Sequence, residues 1–306
     1  MMDKSYIEMV RLLLEGAPAL FQTPHFAMKG GTAINLFIED MPRLSVDIDV
    51  VWTDHQMTRE EALQSIADGL DATRKRLEKA GLESAVSATK DGDEIKLFIR
   101  RGRNQVKVEV NHVFRGTVLP VETRRLSDDA RKLLTTELSV PVLATAELYG
   151  SKLVAAMDRQ HPRDLFDVHG LFKRGGLTSE VVECFVCYLA GHNRPVHEVL
   201  FSRDQDMTPA FENEFVGMTR NPFSMKDLAT VRSKLKQELP AALTGNQREF
   251  LLGLVDGEPN WQLMQCPHLS QLPAIRWKLQ NLNRLKKSNP LKFSEQSQAL
   301  RAKFFQ

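Results

Sequence analysis

The stretch Phe26-Ala-Met-Lys-Gly-Gly-Thr-Ala-Ile-Asn-Leu-Phe37, followed by Arg43-Leu-Ser-Val-Asp-Ile-Asp-Val-Val51, decides the fold predicted for this chain. Gly30, Gly31 and Thr32 end a short apolar run and begin an amphipathic one. This change predicts a strand over 25–29, a tight turn, and a helix from Thr32 to Glu39. Free backbone N–H groups at such a helix start form a cradle of the size of a phosphate group.

Two carboxylates follow in the second part of this stretch. Asp47 and Asp49 flank Ile48 in a β-branched apolar run, which predicts a strand over about 46–52 with both carboxylates on one face. Paired carboxylates repel each other unless a cation lies between them, and hard oxygen ligands suit Mg²⁺ or Mn²⁺. Taken alone, Asp-x-Asp also fits an edge strand whose acids face water. Its combination with Gly-Gly-Thr favours binding of a metal-bound nucleoside triphosphate (NTP).

A third acid is expected on a neighbouring strand. Strand-like runs at 84–89, 94–100 and 106–113, separated by the turn signals Asp91-Gly92 and Arg101 to Asn104, predict a meander. In the last run, polar residues alternate with valines and so take the opposite face. Glu109 is the acid on this polar face and a candidate to complete a metal triad, although the face is also typical of a solvated antiparallel sheet.

The remaining chain is predicted to be mostly helical. Helices are expected over 4–16 with a stop at Gly16, from a capping box at Thr58 to about Lys79, over 141–160, and from Pro162 onward. From about residue 177 the chain reads as all helical. The helices around residue 160 concentrate charged residues, which fits a helix pair connected by ion pairs. These residues are Glu147, Lys152, Arg159, Arg163, Asp164 and Asp167.

These motifs together resemble those of a known family. Lys29 to Phe37, followed by Arg43-x-Ser45-x-Asp-x-Asp49, resembles the first motif of polymerase-β-type nucleotidyltransferases, and specifically of the AbiEii/AbiGii abortive-infection toxins. The charged residues from Glu147 to Asp167 match the family's pattern of Glu, Lys, Arg and Arg-Asp-x-x-Asp. The sequence departs from the family pattern in two ways. The interval between Thr32 and Asp47 has 14 residues, slightly more than usual, and Glu109 replaces the Asp often found as the third acid.

The resemblance implies roles for individual residues. Asp47, Asp49 and Glu109 would hold Mg²⁺ or Mn²⁺. The NTP would be bound by Gly30, Gly31, Thr32, Ser45 and Lys152. Asp164 or Asp167 would hold the lysine, the nucleotide or the attacking hydroxyl.

The resemblance also implies a fold and a function. The fold would be α+β, with a polymerase-β-like core over 1–140 and an all-helical domain over 141–306 that completes the NTP and acceptor site. The protein would be a toxin that transfers a nucleoside monophosphate to an acceptor hydroxyl, with the 3′ end of tRNA expected, and a cognate antitoxin would be its partner. A protein acceptor and a catalytically idle nucleotide-binding module remain as alternatives.

Composition limits the other function classes. The 306 residues are 42% hydrophobic and 26% charged, as in an ordinary globular protein. With no apolar run near the roughly 20 residues of a membrane span and no secretory signal at the start, we expect a cytoplasmic protein without a membrane partner. Kinase and P-loop motifs are incomplete or absent. Cys184 and Cys187, with Cys266 and His268, could form a zinc site, but their helical spacing favours core packing.

Charge is distributed unevenly along the chain. Residues 276–306 hold eight Lys or Arg and one acid, a net charge of +7, whereas the whole chain has +2 and the rest therefore −5. Such a segment could bind a polyanion such as RNA or could be a solvated basic face. Trp261 and Trp277 are predicted to be core residues rather than base-stacking platforms.

Overall fold

The structure of the protein is a computed structural model that describes residues 4–88 and 95–305. The predicted turn at Asp91-Gly92 lies outside these residues. The chain packs as two compact units. The first comprises the chain up to Leu148 together with Phe215–Phe223, and the second comprises Tyr149–Glu214 together with the chain from Ser224 onward. The predicted domain boundary between residues 140 and 141 stays a prediction.

A mixed sheet forms the centre of the first unit. Its strands are β1 (Phe26–Lys29), β2 (Asp47–Trp52), β3 (Glu83–Ala88), β4 (Ile95–Arg101), β5 (Asn104–Asn111), β6 (Glu122–Arg125) and β7 (Ser139–Val142). Their order across the sheet is β3-β4-β5-β2-β1-β7-β6. The pairs β2–β5 and β1–β7 are parallel, and the other neighbours are antiparallel. The strands predicted from the glycine turn to the meander are therefore confirmed, with shifts of one or two residues at their ends.

The described part of the first unit also contains helices. They are α1 (Lys4–Leu20), α2 (Gly30–Ala33), α3 (Arg59–Lys79) and α4 (Asp128–Leu134). Helix α2 continues as a π-helical turn over Ile34–Ile38. The capping box that Thr58 forms with Glu61 begins α3, as predicted.

The predicted stop of the first helix at Gly16 is wrong, because α1 continues to Leu20. A Cβ atom at Gly16 would lie 2.5 Å from Cδ1 of Ile99 on β4. Gly16 therefore permits close approach of α1 to the sheet instead of ending the helix.

The start of the helix predicted over 141–160 is also wrong. Pro141 and Val142 belong to β7, where Val142 is paired with Met28 of β1, and both of these apolar side chains are fully buried. Helix α5 (Thr145–Asp158) begins only after this strand. The sheet uses the apolar side chain of Val142 in its core, which explains why the segment is extended there.

The second unit is helical in its described part. After the greater part of α5 it contains α6 (Pro162–Arg174), α7 (Ser179–Ala190), α8 (Val196–Leu200), α9 (Thr208–Glu214), α10 (Met225–Ala242), α11 (Gly245–Val255), α12 (Pro273–Ser288) and α13 (Pro290–Phe304). Short 3₁₀ turns lie at Trp261–Leu263 and Leu269–Gln271. The α+β class and the helical character from residue 177 onward are thus confirmed. No helix in the described residues is both long and apolar enough to cross a membrane.

The cysteines pack in the core of the second unit. Cys184, Cys187 and Cys266 are free and buried. A hydrogen bond between the thiols of Cys187 and Cys266, together with burial, raises the pKa of Cys187 well above its usual range. Across residues 4–88 and 95–305, no group of three or more His, Cys, Asp or Glu side chains is arranged to hold a metal ion. Core packing is therefore the arrangement that the structure shows.

The two tryptophans differ. Trp261 packs against the buried ring of Phe250, with 5.9 Å between ring centroids. Trp277 is 51% exposed, so its prediction as a core residue is wrong. Helix α12 buries Ile275, Lys278 and Leu282, which share one face by their spacing, and Trp277 projects from another side.

Close packing between α5 and α7 generates a stability prediction. A Cβ atom at Gly150 would lie 2.6 Å from Cβ of Cys184 and 2.7 Å from the backbone nitrogen of Phe185. The backbone of a packed helix cannot move to relieve this clash as the end of a flexible side chain can. Gly150→Ala should therefore lower the free energy of unfolding by about 1–3 kcal/mol. Chemical denaturation measures this change. Gly245→Ala is the control, since nothing lies within 4 Å of an added Cβ there; equal stability of the two variants would contradict the packing.

Candidate active site

Four charged side chains form one row across the middle of the sheet. The strand register pairs Lys29 with Asp49, Asp49 with Glu109, and Glu109 with Lys96. Side chains of paired residues project from the same face of a sheet. The row therefore runs Lys, Asp, Glu, Lys over β1, β2, β5 and β4.

Asp47 lies on the same face, two residues before Asp49 on β2, and is paired with Lys107 of β5. The alternate residues of these strands, among them Ile48 and Val108, are fully buried on the other face. Helix α1 packs against β5. The predicted alternation is thus confirmed, and the three predicted acids share a half-buried face.

Gly30 lies directly beneath the carboxylate of Asp49. A Cβ atom at Gly30 would be 2.1 Å from Oδ2 of Asp49, and the φ angle of Gly30 is +75°. Both the contact and the left-handed backbone require glycine here. The turn before α2 therefore lies against one of the predicted metal ligands.

Gly31 is approached by two polar side chains. A Cβ atom on Gly31 would lie 2.6 Å from Nη2 of Arg43 and 3.2 Å from Oγ of Ser45. Arg43 is 2% exposed, and its Nη1 donates a hydrogen bond to the carbonyl of Leu44 at 3.0 Å. The structure thus places the predicted Ser45 beside the glycine turn, together with a buried guanidinium.

Thr32 makes a hydrogen bond within the protein. Its side chain is fully buried, and its hydroxyl donates a hydrogen bond of 2.5 Å to the carbonyl oxygen of Asp47. This bond attaches α2 to the start of β2. The structure therefore shows Thr32 positioning the turn, and its predicted contact with a phosphate stays a prediction.

Glu109 is held by two lysines. Nζ of Lys96 lies 3.2 Å from Oε1, and Nζ of Lys107 lies 3.3 Å from Oε2. The register brings Asp49 and Glu109 side by side, but in the part of the chain that the structure describes the three acids do not form a cluster arranged to hold an ion. The metal triad stays a prediction.

A cavity of about 420 Å³ opens beside this row. Among the residues that line it are Lys29, Asp49, Lys96, Glu109, Asn111 and His112. All four charged residues of the row therefore line this cavity, which could admit a small anionic or metal-bound ligand.

The second group of predicted residues lies within the second unit. Lys152 of α5 is 7% exposed, and its Nζ lies 2.7 Å from Oδ1 of Asp164 and 3.1 Å from Oδ2 of Asp167. Both aspartates, on α6, are buried. Of the roles predicted for them, the structure shows that of holding the lysine. The contact of Lys152 with an NTP and any catalytic role of the aspartates stay predictions.

Asp164 has a second cationic partner. The Nε atom of Arg159 donates a hydrogen bond of 2.6 Å to its Oδ2. Burial alone would raise the pKa of Asp164, but the Lys152 ammonium and the Arg159 guanidinium outweigh it and hold this pKa well below its usual range. Asp164 is therefore a stable carboxylate and not a group that exchanges protons near neutral pH.

Glu147 of the predicted charged pattern has a structural role, as does His161 before α6. The fully buried carboxylate of Glu147 accepts hydrogen bonds from the backbone nitrogens of Val118, at 2.8 Å, and Leu119, at 2.9 Å. His161 caps α6 by accepting a hydrogen bond from the backbone nitrogen of Arg163. In both cases the side chain satisfies backbone N–H groups.

Sequence reasoning missed Lys96 and Arg43 as residues of this site. Lys96 alternates with apolar residues in β4, as the half-buried polar residues of β5 do, so the register of the hairpin could have placed it near Glu109. Arg43 was part of the quoted motif, but its burial against Gly31 depends on the path of the loop before β2 and had no local signal.

Two comparisons with known proteins find similar proteins. The family model described as "Nucleotidyl transferase AbiEii toxin, Type IV TA system" matches residues 11–281. The solved structure of the nucleotidyltransferase toxin MenT4 from Mycobacterium tuberculosis H37Rv is similar, with a TM-score of 0.58, 21% sequence identity, and coverage of 88% of this chain and 92% of that chain. This likeness shows the predicted nucleotidyltransferase fold. A comparison with curated protein sequences finds no match.

The ion pairs of Asp164 generate a prediction on pH dependence. Because its folded-state pKa is depressed, its ionised form stabilises the fold above the unfolded value of about 4, and this contribution is lost as the pH falls toward the folded pKa. Asp164→Asn should therefore show a smaller decrease in unfolding free energy between about pH 5 and pH 2 than the unchanged protein. Urea denaturation across this range measures it. The exposed Asp68→Asn is the control, and the same pH slope in all three proteins would refute the stabilising role.

Proposed function

Because the chain belongs to the AbiEii family of nucleotidyltransferase toxins of type IV toxin–antitoxin systems, we propose that it transfers a nucleoside monophosphate from an NTP to RNA. The expected acceptor is the 3′ hydroxyl of a tRNA, and pyrophosphate is released. The observation that supports this proposal most is the pairing of Asp49 with Glu109 in register, above a turn that only glycine can form. The transfer would inhibit growth or abort phage infection, in the cytoplasm, where both substrates occur, and a cognate antitoxin would be the partner.

The donor set of this face fits a divalent metal ion. Carboxylate oxygens suit Mg²⁺ or Mn²⁺, and because Gly30 has no Cβ atom, the carboxylate of Asp49 can lie against the turn. Asp47 and Asp49 would hold the metal, and Glu109 would be the third ligand. When bound, the metal would neutralise charge on the triphosphate and lower the pKa of the acceptor hydroxyl.

The residues of the turn would hold the phosphates. The backbone N–H groups of Gly30 and Gly31 and the hydroxyl of Ser45 are donors for phosphate oxygens. Thr32 would keep the turn in place through its bond to β2. Lys152, by the family resemblance, would add a positive charge to NTP binding. Positioning and charge neutralisation thus supply most of the catalysis.

The basic segment over residues 276–306 supports RNA as the acceptor. Its cations differ in their exposure and in whether they form ion pairs. Lys278 is buried and donates to the carbonyl of Arg194 at 2.7 Å, and Arg301 is paired with Asp256. The exposed cations of α12 without an ion pair in the described residues form what we call the α12 basic face. They are Arg276, Arg284 and Lys287.

The direct test supplies the purified protein with Mg²⁺, total RNA, cell protein and each labelled NTP in turn. Label in tRNA-sized RNA with release of pyrophosphate is the expected result. Label in protein would replace the RNA acceptor with a protein hydroxyl. No label in either fraction, with a folded protein, would indicate the catalytically idle module.

The same assay tests the acids of the sheet. Asp49→Ala should reduce incorporation by at least about a thousandfold, because a bound metal supplies several kcal/mol of transition-state stabilisation. The fold should be retained, since the acids lie on the half-buried face. The control, Asp68→Ala, removes an exposed aspartate of α3 and should leave incorporation unchanged. Undiminished incorporation by Asp49→Ala would refute the assignment.

RNA binding by the α12 basic face is measured from its salt dependence. The triple variant Arg276→Gln, Arg284→Gln, Lys287→Gln should bind RNA more weakly, and the slope of log K against log salt should become shallower by about 2 to 3, or roughly 0.7–0.9 for each lost phosphate contact.

A control variant removes the same charge from residues that already have acidic partners. It replaces Lys234, Lys236 and Arg301 by Gln, whose partners are Glu238, Asp204 and Asp256. Its slope should change less. An unchanged slope in the α12 variant would place the RNA on another surface.

A further inference from the structure

Lys96 is a charged residue of the candidate site to which the proposed transfer mechanism gives no role. We propose that Lys96 exchanges its partner when nucleotide binds: it leaves Glu109 and binds the outer phosphates of the triphosphate, the part that departs as pyrophosphate. This inference rests on the proposed function and adds a phosphate-binding residue to it. It is supported by the position, the charge balance and the exposure of Lys96.

The position follows from the strand register. In the row across the sheet, Lys29 and Lys96 lie at the two ends and the acids Asp49 and Glu109 lie between them. All four residues line the cavity of about 420 Å³. A metal-bound triphosphate in this cavity would therefore have Lys96 beside the acid pair.

Charge balance provides the reason for an exchange. Glu109 is held by Lys96 through Oε1 and by Lys107 through Oε2. A cation bound by Glu109 would repel the nearby ammonium of Lys96 and compete with it for the same oxygen. A phosphate oxygen is then the natural new partner of Lys96, since lysine binds phosphate as a point charge. Lys107 can remain on Glu109 during this change.

The exposure of the pair permits the movement. The side chains of Lys96 and Glu109 are 33% and 35% exposed, so their ion pair is partly solvated. Partly exposed pairs are weak and screened, and a lysine has a flexible four-carbon stem. Exchange of partners at Lys96 therefore has a low energetic cost, in contrast to the buried Lys152.

The exchange predicts that one substitution changes two binding affinities in opposite directions. Lys96→Met removes a positive charge that opposes the metal and frees Oε1 of Glu109, so Mn²⁺ alone should bind about 3- to 10-fold more tightly. The same variant loses a phosphate donor, so inorganic tripolyphosphate at saturating Mn²⁺, where the exchange is expected, should bind about 3- to 10-fold more weakly. Electron paramagnetic resonance measures the Mn²⁺ affinity, and titration calorimetry measures the tripolyphosphate affinity.

The matched control is Lys75→Met in the same unit. Lys75 pairs with Asp71 at 2.7 Å on α3, and its loss should change neither affinity. Thermal unfolding would verify that both variants fold. If Lys96→Met leaves tripolyphosphate binding unchanged, or changes both affinities in the same direction, the exchange is refuted and the pair with Glu109 is only structural. These measurements use neither NTP nor acceptor, so failure of transfer in the labelling assay is a separate result.

Discussion

The parallel pairing of β2 with β5 is the constraint on which the candidate site depends. It sets Asp49 opposite Glu109, and a shift by one residue would turn every side chain of a strand to the other face. Such a shift would expose Ile48 or Val108, each worth about 1.5–3 kcal/mol when buried, and would bury a carboxylate in their place. The apolar core under α1 therefore fixes the position of two like charges that repel each other.

The two groups of charged residues balance their charges in opposite ways. Asp49 and Glu109 are half-buried, and Glu109 has ion pairs that can be exchanged for a ligand at little cost. Asp164 and Asp167 are buried around Lys152, where loss of one partner would leave an uncompensated charge, at a cost of about 3–5 kcal/mol. Lost activity in a Lys152 variant would therefore report on catalysis only if its stability were unchanged, whereas the acids of the sheet allow a direct interpretation.

Local patterns were sufficient to predict the part of the site that depends on alternation and turns. The strand of Asp47 and Asp49, the glycine turn, and the face of Glu109 follow from neighbouring residues. Such patterns do not predict which distant segments of the chain pair with each other. Pro141 resembles the first residue of a helix, yet Val142 pairs with β1, 114 residues earlier at Met28. The lysine partners of Glu109 depend on register, and the exposure of Trp277 depends on the side of α12 that meets the core.

The glycine turn and the acid pair differ in what they say about function. Gly30 is required by its own backbone angle and by the carboxylate of Asp49 above it, with or without a phosphate. Its presence therefore has a sufficient structural cause. The opposition of Asp49 and Glu109 is balanced by lysines, since Lys96 and Lys107 pair with Glu109. Two apolar residues in register would pack on a sheet without needing this balance, and like charges placed side by side persist mainly at functional sites. Hence the inference of a cation and a triphosphate is carried by the acid pair, and the glycine turn allows the carboxylate of Asp49 to lie against the backbone.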